Sequence, residues 1–219
     1  MRHIKTSNQP ELKLGIGDYT CNWGVHICGL YETEKERDEI IFGYLKYGCL
    51  ANDKQIYIHS EQTEEDFKKK FHEFCPDCLY NVEQQKRLDI KKAQDIYYPD
   101  GNFDPWKMDK TVNGYYDYTQ LDGKNNLRAV ADMVWALQKI KGVENLFAYE
   151  SRLNYFVQNK SIISLCLYNV SKIDGATIMN VLKTHPYTIS GGIITQNPYY
   201  IDPDIWLAEN APQFLNPKS

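Results

Sequence analysis

The chain has 219 residues, a net charge of -4, 42% hydrophobic and 25% charged residues. This is ordinary for a globular protein and enough for one substantial domain or two small ones. No basic run follows a phosphate backbone, so direct nucleic-acid binding is disfavoured. No apolar run approaches a membrane span and the start MRHIKTSNQPELK lacks an apolar signal core, so a cytoplasmic setting is expected. In that setting the six cysteines are expected mostly as thiols or metal ligands.

Residues 1–20 carry no periodic pattern and are broken by Gly15 and Gly17. Residues 1–14 are assigned to an N-terminal arm and 15–219 to a single domain. GVHICGLY, from Gly24 to Tyr31, is a β-rich run. Thr33 and Glu36 then have capping-box spacing, and Ile40, Ile41, Tyr44 and Leu45 form a helical stripe. QIYIH, from Gln55 to His59, is a strand candidate. Phe67, Phe71 and Phe74 predict a buried helical face ending near Pro76. A weaker strand surrounds Ile90, and a helix with Trp106, Met108 and Val112 begins near Pro105 after the turn-rich YYPDGNFDP. LRAVADM predicts a strand, and Leu146, Tyr149, Leu153 and Phe156 predict a helix. SIISLCLYNV predicts a buried strand, Asp174 caps a short helix, and extended segments close the chain in YTISGGIITQNPYYI. Strands alternating with helices indicate a three-layer α/β domain with a largely parallel sheet, and residues 75–126 are the least defined.

The first strand-to-helix turn stands where nucleotide-binding α/β proteins keep a phosphate loop. Such a loop needs G-x-x-x-x-G-K-[ST], because glycines admit phosphate to the backbone amides. Here Gly29 is followed by Leu30 and Tyr31, and Glu32, Glu34 and Glu36 crowd the helix start. A triphosphate would meet like charge, so ATP hydrolysis is not expected and the chain is read as a non-enzyme.

Soft ligands form two groups: Cys21, His26 and Cys28, and the H-x-x-C-x-x-C of His72, Cys75 and Cys78. Together they keep open a zinc or iron–sulfur site, or a redox pair, although no cofactor is the leading expectation. His72 should point away from the phenylalanine stripe. Cys166, in a buried strand, reads as a small hydrophobe, and His185 as a helix C-cap. A polar and aromatic set at strand ends (His26, Tyr31, Asp132, Trp135, Glu150, Arg152, Asn154, Tyr168) has two readings. It lines a ligand pocket outside the carboxyl ends of the strands. Alternatively, Trp135 and Tyr149 are core, Asp132 caps a helix, and Glu150 and Arg152 are solvated.

The order HICGLY, LRAVADMVWAL, YESRLN, SLCLYNV, LKTHPYTISGG and NPYY resembles the MEDS domain, the sensory domain of methanogens, methylotrophs and the dichloromethane-responsive repressor. The resemblance covers roughly residues 15–202. It implies a RecA/KaiC-like fold that has lost its phosphate loop, and sensing of a small organic ligand such as a C1, methylated or halogenated hydrocarbon derivative. Its motif positions here are His26, Tyr31, Arg128, Asp132, Trp135, Tyr149, Glu150, Asn154, Cys166, Tyr168, His185, Pro186, Asn197, Pro198 and Tyr199. Of these His26, Tyr31, Arg128, Asp132, Trp135, Tyr149, Glu150, Asn154, Tyr168 and His185 are the expected ligand-binding set. Asp132 stands where Glu is expected and Asn169 where Asp is expected. No output module is legible, so a signal is expected to pass to a separate signalling or transcription-regulator protein, with a homodimer as a further expectation.

Overall fold

The computed structural model describes residues 12–121, 123 and 126–215. Most of the expected arm, residues 1–11, lies outside them. Leu12–Lys13 (β1) and Thr20–Cys21 (β2) pair antiparallel, and Leu14 and Ile16 between them are buried in the core. This end of the arm is therefore packed structure. The reason is a close backbone approach: Gly15 adopts φ 82°, and a Cβ on it would fall 2.1 Å from the carbonyl oxygen of Gly43. A Cβ on Gly43 would likewise meet the Gly15 oxygen at 2.2 Å. Gly43→Ala should therefore lower stability by about 1–3 kcal/mol in urea unfolding, because backbone must move; an unchanged midpoint would contradict this contact.

The main sheet is built from Val25–Tyr31 (β3), Lys54–His59 (β4), Leu88–Lys92 (β5), Leu127–Asp132 (β6), Ile162–Asn169 (β7), Tyr187–Ser190 (β8) and Ile193–Gln196 (β9). Its order is β5-β4-β6-β7-β3-β8-β9, parallel throughout except that β9 returns antiparallel to β8. Side chains alternate across it. Ile27, Tyr31, Tyr57, Val130 and Leu165 face Glu34–Leu50 (α1), Glu64–Phe74 (α2) and Pro76–Gln84 (α3). Cys28, Ile56, Ile58, Ala131 and Cys166 face Ala93–Tyr97 (α4), Pro105–Leu121 (α5), Leu146–Val157 (α6) and Gly175–Thr184 (α7). Pro203–Asn210 (α8) packs on the far side of α6. The result is the three-layer, largely parallel α/β arrangement that the alternation of elements predicted.

The capping box at α1 forms with both arms: the Glu36 amide donates to Thr33 Oγ1 at 3.2 Å and the Thr33 amide to Glu36 Oε2 at 3.4 Å. Phe67 and Phe71 are buried, whereas Phe74 is 46% exposed and leans on Phe42 beneath the Lys46 ammonium, so the predicted stripe is one residue too long. His72 is exposed, as expected. α3, α4 and α8 lie outside the predicted elements, and a 3-10 turn, Met133–Leu137, follows β6.

Candidate functional site

The expected site residues separate into four places. His26 and Tyr31 stand on one strand five positions apart, an odd spacing that puts them on opposite faces of the sheet. Tyr31 belongs to the α1 side, at the carboxyl end of β3, where its hydroxyl donates to Asp132 Oδ1 at 3.2 Å. Asp132 also accepts from the Val134 amide, capping the 3-10 turn. Tyr31 and Asp132 thus do not share a wall with His26. Gly29 lies inside β3, where a Cβ would strike Leu167, so it is a packing glycine rather than a loop remnant.

Arg128 lies elsewhere. Its Nε donates to Asp53 Oδ2 at 2.8 Å and its Nη2 to the Lys13 carbonyl at 3.0 Å, with both ionised side chains almost fully buried. Trp135 is core: it stacks on Tyr97 at 4.5 Å between ring centroids and tilts against Phe103 at 5.2 Å. Arg152 is buried rather than solvated, because Asp109 of α5 accepts from its Nε at 2.9 Å and Trp106 covers its guanidinium. Glu150 is also buried rather than solvated, and its surroundings form the candidate site.

α6 sets Glu150 on the face that meets the sheet, four residues after Leu146. There it joins His26 of β3, Cys166 and Tyr168 of β7, and His185, the C-cap of α7. All five are buried. Glu150 Oε2 lies 3.2 Å from His26 Nε2 and 3.3 Å from His185 Nε2. His26 Nε2 is 3.4 Å from Cys166 Sγ, and the two imidazoles lie 4.0 Å apart at their centroids. The Tyr168 hydroxyl donates to Glu150 Oε1 at 2.9 Å. One donor atom each from His26, Glu150, Cys166 and His185 lies within 4.8 Å of the other three. Cys166 is therefore a member of a polar cluster rather than an isolated hydrophobe.

Surrounding residues hold this cluster. The His185 Nδ1 lies 2.7 Å from the Val181 carbonyl, and Asn197 Nδ2 donates to the His185 carbonyl at 2.7 Å. Asn154 donates its nitrogen to the carbonyls of Glu150, Ser151 and Thr184, which leaves its oxygen beside His26. Pro198 and Tyr199, motif neighbours of Asn197, are exposed. Burial, reinforced by the adjacent His185 ring, pushes the His26 imidazole down to about 4 against the pull of Glu150, so it is neutral at neutral pH. Burial pushes Glu150 up, but the His185 and His26 imidazoles pull it further down, below the usual carboxylate range. Burial raises the Cys166 thiol well above its ordinary value.

The other expected cysteine ligands are not brought together. Cys28 lies on the α6 side, while Cys21, Cys75 and Cys78 pack on the α1 side. Cys75 and Cys78 are joined as a disulfide at the α2–α3 junction, so the expectation that they are thiols is corrected. Their three-residue spacing across the bend before Pro76 puts the Cα atoms 5.3 Å apart, within bonding reach.

Beside the cluster lies an apolar cavity of about 80 Å³ between the sheet and helices α5 and α6. Ile56, Ile58, Met108, Ala129 and Tyr149 line it, and Cys166 forms part of the same wall. It lies within the layer, not outside the carboxyl ends of the strands. Sequence reasoning could not find it, since its walls come from three strands and three helices.

The fold is a KaiC-like α/β fold. A KaiC-like protein from Pyrococcus horikoshii OT3 superposes with a TM-score of 0.57 at 12% identity, covering 82% of this chain and 79% of that one. The flagellar accessory protein FlaH from Methanocaldococcus jannaschii gives a TM-score of 0.47 at 14% identity, covering 82% and 78%. The family model of the MEthanogen/methylotroph, DcmR Sensory domain matches residues 25–186, and the chain belongs to that MEDS family. The transcriptional repressor DcmR of Methylorubrum extorquens is 26% identical over 164 residues, 74% of this chain. The matched region is 58% of that relative's length. No helix among the described residues is long and apolar enough to cross a membrane.

Proposed function

We propose that this sensory domain binds a small, mostly apolar organic molecule in the cavity beneath α5 and α6, and passes the change to a separate regulator without catalysing a reaction. The observation that carries this reading is the cavity itself. Protein interiors are packed to crystal density and leave few such spaces. A cavity of roughly 150 Å³ accepts benzene, so about 80 Å³ suits a ligand of only a few heavy atoms. C1, methylated and halogenated compounds are of that size, and the aliphatic wall suits a halogen or methyl group better than an ion. Occupancy would press on α5, through Met108, Thr111, Val112 and Tyr115, and so give the signal a moving part.

Thermal unfolding in the presence of dichloromethane, trimethylamine or methanol tests this. A ligand at ten times its Kd adds about 1.4 kcal/mol to native stability, a rise of about 3–6 °C for a chain of this size. Ala129→Leu fills the cavity from β6 and should abolish the rise while the protein stays folded. No shift with any of these compounds, or a full shift in Ala129→Leu, would remove the proposal.

A further inference from the structure

The buried cluster has a chemical problem that neither packing nor the organic-ligand reading explains. His185 Nδ1 faces the Val181 carbonyl at 2.7 Å, and a carbonyl only accepts, so Nδ1 carries the proton. In the neutral ring the lone pair is then on Nε2, and it points at Glu150 Oε2, another acceptor, 3.3 Å away. His185 Nε2 and Glu150 Oε2 both lack a hydrogen-bond partner, and both side chains are fully buried. Buried polar atoms without partners are rare and costly. Two acceptors so placed require a positive charge between them, either a second proton on His185 or a metal ion.

We propose that His26, Glu150, Cys166 and His185 bind one divalent transition-metal ion, with zinc the best match to the donor set. Two imidazoles, a thiolate and a carboxylate are all established zinc ligands, at about 2.0–2.3 Å from the metal. Tetrahedral geometry at those lengths sets ligand atoms roughly 3.3–3.6 Å apart. Three of the six separations here are 3.2, 3.3 and 3.4 Å and all six lie within 4.8 Å, so the donors need only draw together around an ion. On binding, the Cys166 S–H bond breaks, its proton leaves to solvent and the sulfur keeps the electron pair. No oxidant or reductant is involved. The ion's two positive charges then balance one thiolate and one carboxylate, which makes the buried site neutral.

The surroundings supply two of the three supports that a metal centre requires. Ligating histidines usually donate their other ring N–H to a carbonyl or carboxylate, and ligating carboxylates are themselves hydrogen-bonded. Val181 supplies the first for His185 and Tyr168 supplies the second for Glu150, whereas His26 Nδ1 has no hydrogen-bond partner. The site uses one cysteine, none of them in the set Cys21, Cys28, Cys75 and Cys78 that the spacing first suggested. Cys166 also lines the apolar cavity, so the ion would stand at its wall.

Metal analysis decides the matter whether or not any organic molecule binds. The full chain is stripped with chelator under reducing conditions, then reloaded with Zn²⁺ or Co²⁺ alone. One equivalent per chain is expected, with a higher melting temperature and, for Co²⁺, a near-ultraviolet thiolate charge-transfer band. Cys166→Ser should lose that band while retaining Cys75 and Cys78. Tyr168→Phe should fold and weaken the metal affinity by about 10–100-fold. Well under one equivalent of either metal in the wild-type chain would overturn the assignment, pointing to a protonated His185 bridging to Glu150 instead. A cobalt–thiolate band that survives in Cys166→Ser would overturn it too.

Discussion

Arg128→Met should destabilise the protein by about 3–5 kcal/mol in urea unfolding at pH 7, because it strands a buried charge. Arg128 and Asp53 are each 1% exposed, and Nε reaches Asp53 Oδ2 at 2.8 Å. Asn126 donates to the other carboxylate oxygen at 3.1 Å, and Tyr44 lies under the guanidinium at 5.3 Å. Nη2 ties the sheet to the N-terminal hairpin through the Lys13 carbonyl. When the arginine is lost, Asp53 keeps its burial and loses its counter-charge. Asp53→Asn combined with Arg128→Met removes both charges and should recover most of the loss, since well-packed neutral groups often replace a buried pair at little cost. A single-variant effect below about 1 kcal/mol would mean that the pair does not hold this end of the sheet. If instead Arg128 served a ligand, the substitution would spare stability and abolish the thermal response.

Trp135→Ala is the second large effect, about 3–5 kcal/mol by the same measurement. The indole is fully buried and touches three rings from two segments: Tyr97 stacked at 18°, Tyr98 at 5.5 Å and Phe103 at 5.2 Å. These contacts fix α4 and the loop before α5 against the end of β6. Its Nε1 has no partner, so the loss is one of packing and cavity formation rather than hydrogen bonding. Trp135→Phe keeps a ring in the box and should cost clearly less. It should also leave the ligand response intact, because Trp135 does not line the cavity.

The architecture was legible because period-2 and period-3.6 patterns alternate cleanly along the chain. Two of the helices outside the predicted elements share one cause, while α4 is a single short turn between β5 and a turn-rich stretch. α3 and α8 both begin at a proline, Pro76 and Pro203, which suits the first helical position but was not read as a start. His26 and Tyr31 were grouped by nearness in sequence, although their odd separation already assigns them to opposite faces. The polar cluster was half-visible. Leu146, Glu150 and Leu153 fall on one helical face, and Cys166 and Tyr168 share a strand face by even spacing. Their meeting with His26 and His185 depends on β3 lying between β7 and β8, an order no local pattern encodes.

The central claim is that sensing takes place on the α6 side of the sheet, at the cavity and the cluster beside it. Methyl-resolved NMR of the full chain titrated with dichloromethane tests it most directly. The account predicts saturable shifts at Ile56, Ile58, Met108 and Ile162, which line the cavity, with Val130 and Ile189 on the opposite face little changed. Shifts confined to the opposite face, or none up to solubility, would contradict it.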